Sequence, residues 1–160
     1  MKIAVYAGSF DPVTLGHVDL VLRASKMFDK VVVAMGKNSA KTSFLPEAVR
    51  LELLREECKD IPRVEVTSFD GLLIKYCQSI KSKFMIRGLR ALTDFEYELG
   101  IAHANWTQDT NVETVFLPTH PDLSFVSSST VRELVKHGGK VEKYVSKRVE
   151  AALKEAIMRR

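Results

Sequence analysis

The stretch KIAVYAGSFDPVTLGHVDLVLRASKMF, residues 2–28, decides the fold. It opens on an apolar strand pattern, Lys2 to Tyr6, which stops at Gly8. An amphipathic helical pattern runs from about His17 to Met27, with Val18, Val21 and Leu22 on one face. Between the two lie Ser9, Phe10, Asp11, Pro12, Thr14 and Gly16, where a plain two-residue turn would connect them. A strand, a polar glycine-bearing connection and a helix make the opening of an α/β unit, and ligands sit at that kind of connection.

The same alternation continues along the chain. Strand patterns occupy residues 30–35, a nearly all-apolar run suited to burial on both faces, then 63–69, 83–87 and 113–118. Helical patterns run from about Pro46 to Cys58, with proline in the first turn, and from Gly71 to Ile80. They recur from Asp94 to Trp106, from Ser127 or Ser128 to His137, and from Ser146 to Met158. Thr93 and Glu96 have the spacing of a capping box, and Gly138-Gly139 ends a helix. Five strands alternating with helices predict an α/β fold: a Rossmann-like, doubly wound, five-stranded parallel sheet with helices on both faces. With 160 residues and no linker or repeat, one domain over 1–160 is expected.

Hydrophobic content of 46% and charged content of 28% are those of a soluble globular chain. No apolar run reaches the ~20 residues of a membrane span. Lys2 leads straight into a strand, so no signal peptide is read and a cytoplasmic location is expected. Cys58 and Cys77 stand far apart, which argues against a disulfide framework or a zinc site. The net charge of +4 suits anionic ligands. Basic residues are dispersed among acids rather than gathered in a stripe, so no nucleic-acid partner is expected.

The strand-end rule collects the unusual residues. Gly8–His17, the loop from Gly36 to Lys41, Arg87–Arg90 and Thr119–Ser129 all follow strand carboxyl ends and are expected to converge. In TLGH, Gly16 allows close approach of a phosphate to the helix N-terminus, and His17 can donate to a phosphate oxygen. Equally, Thr14 can be a plain N-cap and His17 an ordinary first-turn residue. Ser9 offers a hydroxyl and an N–H; Asp11-Pro12 reads as a turn; Phe10 is either core or a ligand-facing wall. Arg87 and Arg90 flank Gly88 and suit bidentate phosphate binding. The serines 127–129 either bind an anion or cap a helix. Taken alone, Lys41 reads as a solvated lysine and Glu98 as a solvent-facing carboxylate. His103, His120 and His137 read as structural or surface residues. No Ser-His-Asp order, HExxH or Walker motif is present, and no acidic cluster indicates a protein-held metal.

Together GSFDPVTLGHVDL, IRGLRALTDFEYEL and FVSSSTVRE, in that order, resemble the TxGH nucleotidyltransferases, most specifically the bacterial phosphopantetheine adenylyltransferase family. The resemblance implies transfer of AMP from ATP to 4′-phosphopantetheine, giving dephospho-coenzyme A and pyrophosphate. It implies catalytic roles for His17, Lys41 and Arg90. It puts Ser9, Lys41, Leu73 and Arg87 on the phosphopantetheine side. It puts Ser9, Phe10, His17, Gly88, Leu89, Arg90, Glu98, Leu123, Ser124, Phe125, Val126, Ser127, Ser128 and Ser129 on the ATP side. It further implies Mg²⁺ carried largely by the ATP phosphates, and a homohexamer. Four positions depart from the family pattern: Ala7 for proline, Ser9 for threonine, Leu15 for asparagine and Leu123 for tryptophan. Another TxGH enzyme, acting on nicotinamide mononucleotide or forming cytidylyl products, and a non-catalytic nucleotide sensor remain as alternatives.

Overall fold

Five short apolar runs form strands because they are rich in Val, Ile and Phe and are bounded by glycine, proline and polar residues. In the computed structural model, which describes residues 1–37 and 42–159, they are β1 (Ile3–Gly8), β2 (Lys30–Gly36), β3 (Val64–Phe69), β4 (Phe84–Leu89) and β5 (Glu113–Pro118). The helices are α1 (Leu15–Met27), α2 (Glu47–Cys58), α3 (Leu73–Ser79), α4 (Leu92–Gln108), α5 (Ser128–Lys136) and α6 (Lys147–Met158). All strand pairs are parallel, in the order β3-β2-β1-β4-β5. The chain winds outward from β1 through β2 to β3, then returns to place β4 on the other side of β1. That reversal opens a crevice between the carboxyl ends of β1 and β4.

Strand alternation feeds two cores. Ala4, Tyr6, Val31, Val33 and Ile86 point to one face, where Leu20 and Val21 of α1, Leu53 and Leu54 of α2, Val131 of α5 and Leu153 of α6 cover them. Val5, Ala7, Val32, Ala34 and Met85 point to the other, against Ile74 and Cys77 of α3. Leu54 and Leu153 are fully buried, and each such side chain contributes about 1.5–3 kcal/mol. Helices thus cover both faces, as the alternation of patterns predicts.

Four details differ from the sequence reading. On α1, Leu20 rather than Leu22 joins the core; Leu22 is exposed. On α3, where the sequence spaces Leu72, Tyr76 and Ile80 by four, the buried side chains are Ile74 and Cys77; Tyr76 and Ile80 pack partly buried against the same core and Leu72 is exposed. β4 runs on to Leu89, so Gly88 and Leu89 are strand residues and not loop. Helix α4 begins at Leu92 behind Ala91, which makes no side-chain cap, so Thr93 falls inside the first turn and is not the N-cap of a capping box. Backbone bonds from Asp94 and Phe95 to the Ala91 carbonyl have already set that turn.

Candidate active site

A cavity of about 310 Å³ fills the crevice. The end of β1 and its loop contribute Tyr6, Ala7, Gly8, Ser9 and Phe10. Helix α1 contributes Gly16, His17 and Leu20, with Thr14 just before it. β4 contributes Arg87 and Gly88, the link to α4 Arg90 and α4 itself Glu98; the chain after β5 contributes Thr119, Leu123, Val126 and Ser127, and the start of α5 Ser128. A second cavity of about 310 Å³ shares Ala7, Gly8, Ser9 and Arg87 with the first. Its outer wall is Gly36, Lys37, Phe69, Gly71 and Leu73. Two adjoining recesses with a common wall suit two reactants meeting at that wall.

His17 is held by the cap of its own helix. The Thr14 N–H donates to His17 Nδ1 at 2.9 Å, and Thr14 Oγ1 lies 2.9 Å from the same nitrogen. The His17 N–H in turn points at Thr14 Oγ1, so His17 takes the part that Glu or Gln usually plays in a capping box. The N-cap reading of Thr14 therefore holds, and His17 closes the cap while also lining the cavity. A backbone N–H can only donate, so Nδ1 is the acceptor and the ring proton sits on Nε2. Burial, and then the charge of Arg90, push the His17 pKa down from its ordinary value to about 4. The ring is neutral at physiological pH and still offers one N–H. Phe10 meets it edge-on, with ring centroids 5.2 Å apart, and Tyr6 lies at 6.3 Å.

The connection from β1 to α1 is tethered along its length. Arg50 of α2 donates to the Ser9 carbonyl at 2.8 Å. The Asp11 carboxylate accepts from the N–H groups of Phe44 and Leu45 at 2.7 and 2.9 Å. Arg132 of α5 donates to the Asp11 carbonyl, and the Ser128 hydroxyl to the Pro12 carbonyl at 2.8 Å. The Asp11-Pro12 turn is structural, as its sequence indicates. Phe10 resolves to both of its alternatives: it is buried, and it lines the cavity.

The two guanidiniums are carboxylate-bound. Arg87 makes a bidentate pair with Glu98, with Nε–Oε2 and Nη2–Oε1 both 2.6 Å, and reaches the Ala7 carbonyl at 3.3 Å. Burial works to lower the Arg87 pKa, but the hydrogen bonds and charge of Glu98 outweigh it and raise it. Glu98 is therefore mostly buried in an ion pair and not solvent-facing. Arg90 pairs with Asp94 one turn along α4, Nε–Oδ2 2.9 Å.

Of the expected ATP-side residues, Ser9, Phe10, His17, Gly88, Arg90, Glu98, Leu123, Val126, Ser127 and Ser128 line the first cavity; Leu73 and Arg87 line the second. Leu89, Ser124, Phe125 and Ser129 do not reach the lining. The Ser124 hydroxyl donates to the Pro121 carbonyl, Phe125 packs edge-on against Tyr144, and Ser129 accepts from Arg132. Ser127 caps α5 through the Thr130 N–H. Lys41 lies outside the described residues. Lys37 and Thr119 line the walls within stretches expected to converge there, whereas sequence reasoning missed Tyr6 and Phe69 in the walls and Arg50 behind them. A cation at Arg50, on the same helical stripe as Leu53 and Leu54, was the available signal for a buried charge with a specific partner.

Known proteins resemble the chain over most of its length. The family described as Cytidylyltransferase-like matches residues 5–134. A phosphopantetheine adenylyltransferase of Lachnoclostridium phytofermentans is 48% identical over 145 residues, 91% of this chain and 89% of that one. One from Nostoc punctiforme is 49% identical over 143 residues, 89% of this chain and 78% of that one. The crystal structure of "a Putative Nicotinate-nucleotide Adenylyltransferase from Vibrio parahaemolyticus" superposes with a TM-score of 0.72 at 19% identity, covering 99% of this chain and 96% of that one; at that identity it speaks for the fold alone. On the strength of the two relatives, the chain belongs to the phosphopantetheine adenylyltransferase family of the cytidylyltransferase-like nucleotidyltransferases.

Proposed function

We propose that residues 1–160 act as one nucleotidyltransferase domain that transfers AMP from ATP to 4′-phosphopantetheine, forming dephospho-coenzyme A and pyrophosphate. The observation that carries the mechanism is His17 on the wall of a cavity beside Arg87 and Arg90, its Nδ1 accepting from the Thr14 N–H, which leaves Nε2 to carry the ring proton. A phosphate monoester is already ionised near neutral pH, so no general base is required. One of its oxygens attacks the α-phosphorus of ATP in line, and the bond from that phosphorus to the β-phosphate bridging oxygen breaks. The electron pair leaves with pyrophosphate. The task left to the protein is to bring anions together and stabilise charge on the α-phosphoryl oxygens. His17 Nε2–H and the N-terminus of α1 serve the α-phosphate, and the family resemblance gives Lys41 a part in the same step. Arg90 and the start of α5 serve the leaving pyrophosphate. Arg87, common to both cavities, grips the acceptor phosphate near Leu73.

ATP enters as its magnesium complex. The lining offers hydroxyls, guanidiniums, the His17 imidazole, whose Nδ1 already accepts from Thr14, and one carboxylate, Glu98, already tied to Arg87; among the described residues no three His, Cys, Asp or Glu side chains stand together as a metal cage. That donor set fits an ion carried by the triphosphate. A homohexamer acting in the cytoplasm completes the reading. Helix α4, which leaves Leu92, Tyr97 and Trp106 exposed, supports an assembly, and no helix among the described residues is long and apolar enough to cross a membrane. Pyrophosphate release from ATP tests the reaction. Release with phosphopantetheine, and not with nicotinamide mononucleotide or a choline phosphate plus CTP, is expected. Bound ATP without release with any acceptor would identify a sensor instead. Sedimentation mass tests the assembly.

A further inference from the structure

We propose that Asp11 and Arg50 are positioning residues for the transfer: a reciprocal clamp between the β1–α1 connection and α2 that holds Ser9 and Phe10, and through Phe10 the His17 ring, in reactive geometry. The proposal rests on the adenylyl-transfer reading above. Asp11 and Arg50 are 7% and 5% exposed, and both make their hydrogen bonds to main-chain groups of the opposite partner. The loop's carboxylate binds the N–H groups that lead into α2, and the helix's guanidinium binds the loop's carbonyl. Between the two clamped residues stands Phe10, with φ of +44°, a left-handed backbone that a bulky residue rarely adopts. Such a conformation persists only where its surroundings over-determine it. Its ring then lies over Gly8, where a Cβ would come within 3.1 Å, and edge-on to His17.

Stability alone does not account for the clamp. Burying an ion costs several kcal/mol, and well-packed apolar residues of similar volume are often as stable. Arg50 also leaves its buried Nε without a hydrogen-bond partner among the described residues. A core selected only to fold would place Met or Leu there, beside Leu53 and Leu54. What the guanidinium adds is a fixed carbonyl on Ser9, in the wall shared by both cavities.

The test compares Arg50→Met, Arg50→Lys and Asp11→Asn with the unmodified protein. Melting temperature, pyrophosphate release with both KM values, and the His17 ring-proton NMR shifts are measured, the last assigned by their loss in His17→Ala. Kinetics are read well below each variant's own Tm. Arg50→Met is expected to keep its Tm within a few degrees. Its kcat should fall about tenfold or more, since small misplacements at the reacting centre cost up to about 10²-fold. Both KM values should move less than about threefold, as for a loss felt mainly in the transition state. Arg50→Lys should recover part of kcat, Asp11→Asn should lose it in the same direction, and the His17 shifts should move in Arg50→Met and Asp11→Asn. A folded Arg50→Met with kcat within about twofold of the parent, or unmoved His17 shifts, would overturn the clamp. If Arg50→Met does not fold, Asp11→Asn decides by the same two readouts. If the unmodified protein releases no pyrophosphate, the adenylyl-transfer reading fails, and the His17 shifts still decide whether the clamp holds the ring.

Discussion

The two walls of the site are fixed by different kinds of bond. The wall from Gly8 to His17 is held from behind, by side chains reaching main-chain atoms, two buried and two partly buried: Arg50 to Ser9 and Asp11 to Phe44 and Leu45, then Ser128 to Pro12 and Arg132 to Asp11. The wall on β4 and α4 presents its cations forward, each paired with a carboxylate of α4: Arg87 with Glu98 and Arg90 with Asp94. A carboxylate and a phosphate offer a guanidinium the same bidentate geometry, so these pairs can exchange partners when an anionic substrate arrives. The tethers of the first wall have no such competitor. One wall is built to keep a geometry and the other to trade one anion for another. Loss of a group from the first should therefore appear in kcat, and loss from the second in substrate affinity.

The largest expected effect falls on the fixed wall. His17→Ala should lower kcat by about 10²–10³-fold, on the order of 3 kcal/mol in the barrier, because under the proposed mechanism it removes a preorganised donor to the α-phosphoryl group. The KM for ATP should change by less than about tenfold. Steady-state pyrophosphate release checks both, and a near-parental kcat would make His17 a binding residue only.

The His17 pKa sharpens the same contrast. It is about 4 in the fold and about 6.5 in an unfolded chain. As pH falls through 6.5 the unfolded chain takes up the proton and the folded one does not. Stability is therefore lost between about pH 6.5 and 4, and no more is lost through this group below 4. Denaturant titrations across that window should show the slope, and His17→Ala should remove it. The kcat/KM profile of the free enzyme should show no inflection from His17 near 6.5; its imidazole should titrate only towards pH 4.

On the exchangeable wall, Arg87→Met should raise the KM for phosphopantetheine by about 10–100-fold, the worth of a charged hydrogen-bond pair. The effect on kcat should be smaller. A loss confined to kcat would mean that Arg87, despite its exchangeable pair, belongs with the fixed wall.

Most of the fold was legible because its central strands are short apolar runs, such as Val31 to Met35, which feed cores on both faces of the sheet and alternate along the chain with helical patterns. The convergence of loops at the strand ends followed from topology alone. What stayed hidden was pairing. Nothing in IRGLR tells that Arg87 will meet Glu98, eleven residues on, while Arg90 meets Asp94; that depends on the rotation of α4 over β4. The Thr93 cap failed because main-chain bonds to Ala91 had already started the helix, and local capping chemistry cannot see that. Arg50 was passed over because a charged residue on a helix is ordinarily exposed. Only the placement of α2 against the β1–α1 connection makes it a buried donor. Leu89, Ser124, Phe125 and Ser129 belong to motif stretches whose neighbours line the cavity, and a contiguous motif does not say which of its side chains face inward.

The smallest expected effect separates the cap from the chemistry. Thr14→Ala removes the N-cap hydroxyl of α1, which should cost about 1 kcal/mol of stability and lower Tm by several degrees. The residue is buried, so water does not replace the lost acceptor for the His17 N–H. The bond that orients the imidazole is a different one: the main-chain N–H of residue 14 donates to Nδ1 whatever side chain that residue carries. The ring proton should stay on Nε2, and kcat should fall by no more than about threefold, far less than in His17→Ala. Thermal melts and kcat on the same preparation make the comparison. A kcat loss approaching that of His17→Ala would mean that the Thr14 hydroxyl, 2.9 Å from Nδ1, sets the tautomer instead. The wall would then depend on a side chain at the one place where its main chain was held to suffice.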